Sequence, residues 1–298
     1  MNTEIFPKRR PQMAKEPSLD DKNSTMRPTS PALGHVDLAV LSQADRHQRS
    51  VLVFPDDAGL LDEVTGGRRQ TDASVRALVR AGWLLRVRRG TLVVRTRAGT
   101  LDQGALALVG DITRHPHLVS GGAALARAGL TDQSFRTIIV LTASPQRSWS
   151  WLGETVRYIR TREDALWGGR SHAGSGSTRI ARPTRAVLDS LAHPRWGVSL
   201  SEVAKALNKG ERDAKFLDQL ADDTAHLGNA LAARRVGFLV QRLFGREAAR
   251  PFLPLRGRSN AIVPLAPATP SQDGPIDTMW RLRINVDLGL VLGDLDHA

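Results

Sequence analysis

The sequence predicts a mixed α/β protein made of two structural units, and three observations support this prediction. Positive charge is concentrated in residues 65–99, which carry nine arginines against one acid, whereas residues 31–64 carry six acids against two arginines. The basic stretch combines a helical pattern with a two-strand hairpin pattern. After residue 100, helical and strand-like patterns alternate. A basic helix and hairpin that follow an acidic supporting segment are typical of a winged helix-turn-helix.

Length and composition narrow the class of protein. At 298 residues the chain is long enough for about two domains. Its formal net charge of +12 makes an anionic partner the first expectation, nucleic acid before a membrane surface. The chain has no cysteine, which excludes disulfides and thiolate metal sites. No apolar run approaches the roughly 18 residues of a spanning helix, and the N-terminus lacks the apolar core of a signal peptide. We therefore expect a cytoplasmic protein without a membrane partner.

Composition also divides the chain into three parts. Residues 1–30 are rich in Pro, Lys, Ser and Asn, so we expect a disordered arm. Its weak positive charge leaves open whether it is an inert tail or a phosphate contact. Residues 31–100 are expected to form the winged helix-turn-helix DNA-binding domain, and residues 101–298 a larger α/β domain.

The first elements are predicted from spacing and from proline. Apolar residues recur at helical intervals over residues 36–48, and Ser50–Phe54 is short and β-prone. Pro55 is expected to open the next helix together with Asp56 and Asp57. In that position the two acids would face the positive end of the helix dipole.

A glycine turn leads into the basic segment. Thr65–Gly67 is predicted to end the preceding helix, and Thr71 is a suitable N-cap for a helix over residues 71–81. That helix has an apolar face of Val75, Leu78 and Val79, and an opposite face of Ala73, Arg76, Ala77 and Arg80. Small residues beside long cationic ones would let the helix approach a major groove closely.

The hairpin shows a strand-like alternation. Leu85 and Val87 point to one side and Arg86 and Arg88 to the other, with Arg89–Gly90 as the turn. Arginines on an amphipathic helix usually form only a solvated face, and outward arginines on a hairpin are common. The order of helix, glycine turn, basic helix and basic hairpin favours DNA contact over that interpretation.

Nine residues are the predicted DNA contacts. Arg76 and Arg80 are expected to enter the groove, with Gln70 and Ser74 as candidate base readers at the start of the helix. The other arginines are expected to position the phosphate backbone, and they are Arg68, Arg69, Arg86, Arg88 and Arg89.

The larger domain combines helices and strands along its whole length. Helices are predicted over residues 104–113, 121–129, 184–192, 200–207, 216–227 and 230–244. Strands are predicted over residues 137–142, 155–159, 260–262 and 278–286. Residues 167–178 are rich in Gly, Ser and His and are expected to form a mobile loop. This interleaving predicts a mixed α/β domain.

Four segments of the chain match the motifs of one protein family. Leu118–Gln133 is similar to a family segment that reads leucine, serine, glycine, then alanine-leucine and glycine-leucine-threonine. Arg182–Asp189 looks like the family's proline-glutamate-arginine-alanine-leucine-leucine-aspartate motif. Ala233–Val240 resembles its arginine-arginine-leucine-glycine-tyrosine-leucine segment. Arg86–Gly90 matches its basic wing strand with an arginine-glycine turn. By the order and spacing of these matches, the chain resembles the AbiEi antitoxin family.

The sequence also departs from the family pattern. Thr184 stands where the family usually has glutamate, and Arg182 where aspartate is common. An ion pair that the family builds at these positions therefore lacks its usual glutamate and aspartate in this sequence. Arg185 and Asp189 remain, and their spacing predicts a surface pair on one helix.

The resemblance implies a two-domain antitoxin. Its winged helix would bind inverted repeats in the operator of its own operon and repress transcription. Its C-terminal domain would counteract a partner toxin of the nucleotidyltransferase type, with or without a stable complex. The implied partners are thus double-stranded DNA and the cognate toxin. The alternative is a winged-helix transcription regulator with a ligand-sensing C-terminal domain and no toxin.

No residue pattern points to catalysis, a cofactor or a metal, so we expect no enzyme activity. His115 and His117 have a spacing that could suit a metal, but no carboxylate or further histidine follows at a ligand spacing. Arg234 and Arg235 precede an apolar pattern that predicts a core-facing helix, and DNA contact is left open for both.

Overall fold

The computed structural model describes residues 33–95, 104–171, 177–271 and 273–293. The expected arm, residues 1–30, and the predicted domain boundary after residue 100 lie outside the described residues. Both stay predictions.

The N-terminal unit has the element order of a winged helix-turn-helix. Its elements are α1 (His35–Arg46), β1 (Val51–Val53), α2 (Ala58–Thr65), α3 (Arg68–Arg80), β2 (Leu84–Arg88) and β3 (Thr91–Val94). The three strands form an antiparallel sheet in the order β1-β3-β2. The predicted fold class is confirmed for this unit.

One face of this sheet and the three helices enclose a small apolar core. Its buried residues are Val40, Ala44, Leu52, Leu61, Leu78, Leu84 and Leu92. Leu78, from the predicted apolar face of α3, is fully buried, and Val75 and Val79 pack beside it. Burial of a leucine contributes about 2 kcal/mol, so this contact fixes which face of α3 points outward.

The third helix begins one turn earlier than the sequence predicts. α3 starts at Arg68 because Gly66 and Gly67, at φ values of 85° and 124°, complete the turn by themselves. Thr71 is therefore not an N-cap. It is fully buried, and its Oγ1 donates to Asp62 Oδ1 at 2.5 Å, which fixes α3 against α2.

The acids ahead of α2 do not have the predicted role. α2 begins at Ala58, so Asp56 and Asp57 precede its first turn. The Asp57 carboxylate accepts the Val53 N–H at 2.7 Å and pairs with Arg114 of the larger unit at 2.5 Å. Asp57 therefore joins the two units.

The second face of the three-stranded sheet packs against the larger unit. Val51 and Val93 are buried in the larger unit's core. Beside them, Ser50 Oγ donates to Asp111 Oδ2 at 2.6 Å. The sheet is thus covered on both faces, and these contacts set the orientation of the N-terminal unit.

The larger unit contains eight α-helices and nine β-strands within the described residues. The helices are α4 (Ala105–Thr113), α5 (Gly122–Arg127), α6 (Pro183–Ala192), α7 (Leu200–Gly210), α8 (Phe216–Leu227), α9 (Ala230–Phe244), α10 (Arg246–Ala249) and α11 (Leu288–Leu292). The strands are β4 (His117–Ser120), β5 (Thr137–Thr142), β6 (Trp149–Trp151), β7 (Glu154–Arg160), β8 (Gly169–Ser171), β9 (Arg179–Ala181), β10 (Val263–Pro264), β11 (Ile276–Asp277) and β12 (Leu282–Arg283). The predicted mixed α/β class is confirmed.

A six-stranded mixed sheet is the centre of this unit. Its strand order is β6-β7-β5-β4-β9-β8, with β5 parallel to β7 and antiparallel to β4. Residues 138–142 of β5 are all buried, so both faces of the sheet are covered at its centre. No helix in the described ranges combines the length and apolar character that a membrane crossing requires.

Several strand predictions in this unit are wrong. Residues 117–120 form the interior strand β4, which the sequence interpretation lacks, and residues 169–171 of the predicted loop form β8. Residues 172–176 of that loop lie outside the described residues. The chain is irregular over residues 260–262, and only Leu282–Arg283 is a strand within 278–286. These strands are too short for an alternation to be visible in sequence.

Arg185 and Asp189 form a buried pair and not the predicted surface pair. Helix α6 packs against α7, α8 and α9 and against the sheet, which removes both side chains from solvent. Arg185 Nε donates to Asp189 Oδ2 at 2.9 Å, and Ser120 Oγ donates to the same oxygen at 2.6 Å. The Arg185 guanidinium also lies over the Trp167 ring at 4.1 Å.

The two positions that depart from the family pattern share one acceptor. Arg182 Nε and Thr184 Oγ1 donate to Asp223 Oδ2 at 2.8 and 2.5 Å. Arg182 and Asp223 therefore form an ion pair between the start of α6 and α8.

Candidate nucleic-acid interface

The exposed face of α3 carries a stripe of arginines separated by small residues. Arg69, Ala73, Arg76 and Arg80 are exposed, and Ala77 is half-buried between the last two. Their spacing of four, three and four residues places them on one side of the helix. The predicted positions of Arg76 and Arg80 on the face opposite Leu78 thus agree with the structure, and Arg69 extends that face by one turn.

Ser74 lies on the opposite side of the helix. Its exposed fraction is 6%, and its Oγ donates to Asp37 Oδ1 of α1 at 2.6 Å. Because the side chain faces the core of the unit, Ser74 cannot reach a base while α3 is packed in this way. Its prediction as a base reader is wrong.

Two further predicted residues occupy the first turn of α3. Arg68 pairs with Asp72 (Nε–Oδ1 3.2 Å), and its guanidinium lies 5.5 Å from the centre of the Phe54 ring. Gln70 is exposed, and its Oε1 approaches Gly66 so closely that a Cβ there would lie 2.8 Å away. Gln70 is therefore exposed at the N-terminal end of the helix, with its amide oxygen over Gly66.

The wing ends in the predicted tight turn. β2 ends at Arg88, β3 begins at Thr91, and Arg89–Gly90 connects them. Gly90 has φ 74°, and a Cβ on it would lie 3.0 Å from the carbonyl oxygen of Phe54. The Phe54 N–H donates to Gly90 O at 2.7 Å. Since Phe54 also contacts Arg68, the wing turn and the start of α3 are neighbours.

Arg86 and Arg88 of β2 were predicted to lie on the same face of the strand, and this prediction is wrong. Arg86 pairs with Leu92 but Arg88 pairs with Thr91, so Val87 is an extra residue in the strand. Arg86 and Arg89 are exposed, whereas Arg88 is half-buried.

Arg88 contacts the larger unit. Its Nη1 donates to the Arg147 carbonyl at 2.9 Å, and its Nη2 donates to Gln146 Oε1 at 3.3 Å. This structural role replaces the predicted phosphate contact. The contact also brings Arg147, whose side chain is exposed, next to the wing tip. The sequence has no local signal for the contact between Arg88 and Arg147, because the two residues are 59 positions apart.

Within the described residues, most of the exposed cations of this surface have no acidic partner. Residues 68–95 contain a single acid, Asp72, and it pairs with Arg68. Among the residues that the structure describes, no ion pair includes the five other exposed arginines of the surface, which are Arg69, Arg76, Arg80, Arg86 and Arg89. We call these five residues the arginine surface. A surface of this kind attracts polyanions.

The other polar residues that the sequence singled out lie inside the larger unit and form hydrogen bonds there. Arg234 and Arg235 are buried in α9 and donate to backbone carbonyls, which excludes the DNA contact left open for them. His117 lies in β4, where Nδ1 is 2.8 Å from the His115 carbonyl and Nε2 accepts the Arg179 N–H at 3.2 Å. Both ring nitrogens are therefore used.

No group of three or more potential metal ligands occurs in the described part of the chain. Burial lowers the pKa of His117 from its usual value, and the nearby Arg179 charge lowers it further against the opposing effect of the His115 carbonyl. The neutral ring fits its role as donor on one side and acceptor on the other.

No protein-family model matches this sequence, and no curated protein matches it. A solved structure shares its fold. The crystal structure of the protein RV2827C from Mycobacterium tuberculosis aligns with a TM-score of 0.63 at 16% identity, over 90% of this chain and 97% of that chain. The likeness extends over both units and shows a common fold. At this identity it does not extend to function.

Proposed function

We propose that the chain is a DNA-binding antitoxin that represses its own operon and counteracts a partner toxin of the nucleotidyltransferase type. The observation that carries the DNA-binding part is the arginine surface on a winged helix-turn-helix, where no described carboxylate neutralises the five cations. The antitoxin part rests on the resemblance to the AbiEi family.

Helix α3 is the proposed major-groove element. Arg76 and Arg80 project from its exposed face, and the small side chains of Ala73 and Ala77 let the backbone approach base edges. Gln70, at the exposed N-terminal end, is the remaining candidate for bidentate recognition of adenine. Specificity is thus assigned to three side chains.

The wing and the start of α3 are the proposed phosphate contacts. Arg69, Arg86 and Arg89 are exposed and unpaired within the described residues, and Arg68 is shared with Asp72. With about four phosphates neutralised by each bound chain, log K should fall with log salt at a slope of about −3.5.

The test uses the full chain and the DNA upstream of its own gene. We expect a footprint over inverted repeats at low salt. We expect Arg76→Ala to cost on the order of 1–3 kcal/mol at the operator, and the Arg76→Ala, Arg80→Ala double variant to lose specific binding. Arg195→Ala, at an exposed site in the larger unit, is the matched control and should bind as the wild type does. Unchanged operator binding by the double variant would remove the DNA assignment.

A second experiment separates the antitoxin from the regulator that senses a ligand. The full chain is co-expressed with the product of the neighbouring reading frame. Rescue of growth from a nucleotidyltransferase-like toxin supports the antitoxin. The absence of such a frame, together with operator binding, supports the regulator.

A further inference from the structure

Two adjacent buried arginines of α9 differ in how their charge is accommodated. All three nitrogens of Arg234 donate to carbonyls, Nε to Arg256 at 2.9 Å, Nη1 to Ala261 at 2.8 Å and Nη2 to Ser259 at 2.5 Å. Arg234 therefore ties the following segment of the chain to α9, and its hydrogen-bonding capacity is largely used.

Arg235 is left with unused donors. Its Nη1 donates to the Leu191 carbonyl at 2.7 Å and its Nη2 to the Pro264 carbonyl at 3.3 Å. Its Nε has no partner in the described structure, although only 4% of the residue is exposed. A guanidinium has five N–H donors, so two hydrogen bonds leave three donors unused. No described carboxylate pairs with Arg235.

Such a cation is costly to bury without an anion. Burial lowers the pKa of Arg235, but a guanidinium keeps its proton at any ordinary pH, so the charge remains. Two carbonyl dipoles compensate it only in part. A carboxylate that reached the guanidinium would gain a charge-assisted hydrogen bond in a site of low dielectric constant.

A cleft of about 290 Å³ lies beside Arg235. Its walls are mainly apolar and include Val198, Leu200, Val203, Leu265, Val286 and Val291. The hydroxyls of Ser190 and Ser199 also line it, but Ser190 Oγ donates to the Ala186 carbonyl and Ser199 Oγ caps α7. The hydroxyls of Ser201 and Thr269 line it as well, and Ser201 Oγ lies 2.9 Å from Ser199 Oγ. Arg235 is thus the charged group among the described residues of the lining, and its guanidinium has unused donors.

We propose that this cleft binds a small apolar carboxylate. The carboxylate group lies against the Arg235 guanidinium, and the hydrocarbon part contacts the valine and leucine side chains of the wall. A phosphorylated ligand does not fit this chemistry, because a phosphate dianion needs several cationic or N–H donors and the cleft supplies one cation. The volume is at the lower end of the range for ligand pockets, which favours a compact molecule.

The test is calorimetric titration of the full chain with octanoate as the probe, and with 1-octanol and octylamine as matched compounds. The three share a hydrocarbon chain and differ in the head group. We expect octanoate to bind at least tenfold more tightly than 1-octanol, and octylamine to show no binding. Equal binding of octanoate and 1-octanol, or no binding of octanoate at millimolar concentration, would overturn the proposal.

Two variants locate the site. Arg235→Gln should remove the preference for octanoate, whereas Ala268→Trp should fill the mouth of the cleft and weaken octanoate at least tenfold. Ala268 lines the cleft and is exposed, so this variant retains the folded core. Undiminished binding by Ala268→Trp would place octanoate elsewhere and contradict the proposal.

If Arg235→Gln does not fold, the wild-type protein supplies the same information. The Nε–H resonance of Arg235 in the ¹⁵N-labelled chain should shift on addition of octanoate and stay unchanged with 1-octanol. A resonance that is unaffected by saturating octanoate would show that the carboxylate does not reach Arg235.

Discussion

The guanidinium of Arg114 forms a two-point ion pair with the carboxylate of Asp57, with Nη2–Oδ2 at 2.5 Å and Nη1–Oδ1 at 3.2 Å. Arg114 follows the last residue of α4 in the larger unit, and Asp57 precedes α2 of the winged helix. The pair therefore crosses the junction between the units. Together with the Ser50–Asp111 hydrogen bond, it holds the DNA-binding unit in one orientation.

Replacement of Arg114 should destabilise the protein. Asp57 is 4% exposed, so Arg114→Ala leaves a buried carboxylate without its main partner. We expect a loss of about 3 kcal/mol in the free energy of unfolding, measured by urea denaturation. Arg49→Ala is the control, because Arg49 is exposed and lies 3.9 Å from the same carboxylate, and it should cost less than about 1 kcal/mol. Equal losses in the two variants would contradict the role given to Arg114.

Ser74 should contribute to stability and not to base recognition. Ser74→Ala removes the donor to Asp37 Oδ1 in a buried site, for which we expect a loss of about 1–2 kcal/mol in the free energy of unfolding. The preference among single-base variants of the operator should stay the same, as measured in competition binding assays. Gln70→Ala is the comparison, and it should keep the stability but relax the preference at one base pair. A changed base preference in Ser74→Ala would restore the sequence interpretation.

The sequence predicts elements well where the signal is local. Ala230–Phe244 agrees with α9 residue for residue, because a long apolar pattern of helical period determines one helix. The buried face of α3 also had a local signal that the prediction did not use. Thr71, Ser74 and Leu78 are spaced by three and four residues and are all buried, which indicates that Ser74 shares the face of Leu78.

The remaining features depend on contacts between distant residues. Arg88 donates to a carbonyl 59 positions away and so does not have its predicted role. Asp57 pairs with an arginine 57 positions away and does not have its predicted role either. Arg185 and Asp189 have the spacing of a surface pair, and only the packing of α6 against other helices makes them buried. Residue type and spacing cannot distinguish these cases, since an arginine can be solvated or can satisfy a carbonyl with equal ease.

Acid should destabilise the protein in part through His117. Burial is the main cause that lowers its folded-state pKa, so the unfolded chain takes up a proton below about pH 6.5 while the folded chain stays neutral to lower pH. The free energy of unfolding therefore falls as the pH decreases below about 6.5, by at most about 1.4 kcal/mol per pH unit for one proton. Above that pH both states are neutral and the contribution is constant.

The comparison of His117→Gln with the wild type measures this contribution. In urea denaturation at pH 7.5, 6.5 and 5.5, the variant should lose less stability on acidification than the wild type. Partial desolvation also lowers the pKa of His193, against the raising effect of Asp189, although this side chain is more exposed than His117. A smaller part of the decline should therefore remain in the variant and disappear in the double variant His117→Gln, His193→Gln. Parallel declines in wild type and double variant would assign the acid sensitivity to other groups.

Arg89 and Arg88 are neighbours in the wing with opposite expected effects. Arg89 is exposed at the turn, so Arg89→Ala should reduce the magnitude of the salt slope of DNA binding by about one and change stability by less than about 0.5 kcal/mol. Arg88 donates to Thr91, Gln146 and the Arg147 carbonyl, so Arg88→Ala should cost about 1–2 kcal/mol of unfolding free energy and leave the salt slope nearly unchanged. The measurements are DNA affinity between 50 and 200 mM salt and urea denaturation of the same samples. If Arg88→Ala alone reduced the slope while stability stayed constant, the guanidinium would have to leave the larger unit on DNA binding, and its contacts with Gln146 and Arg147 would not fix the wing.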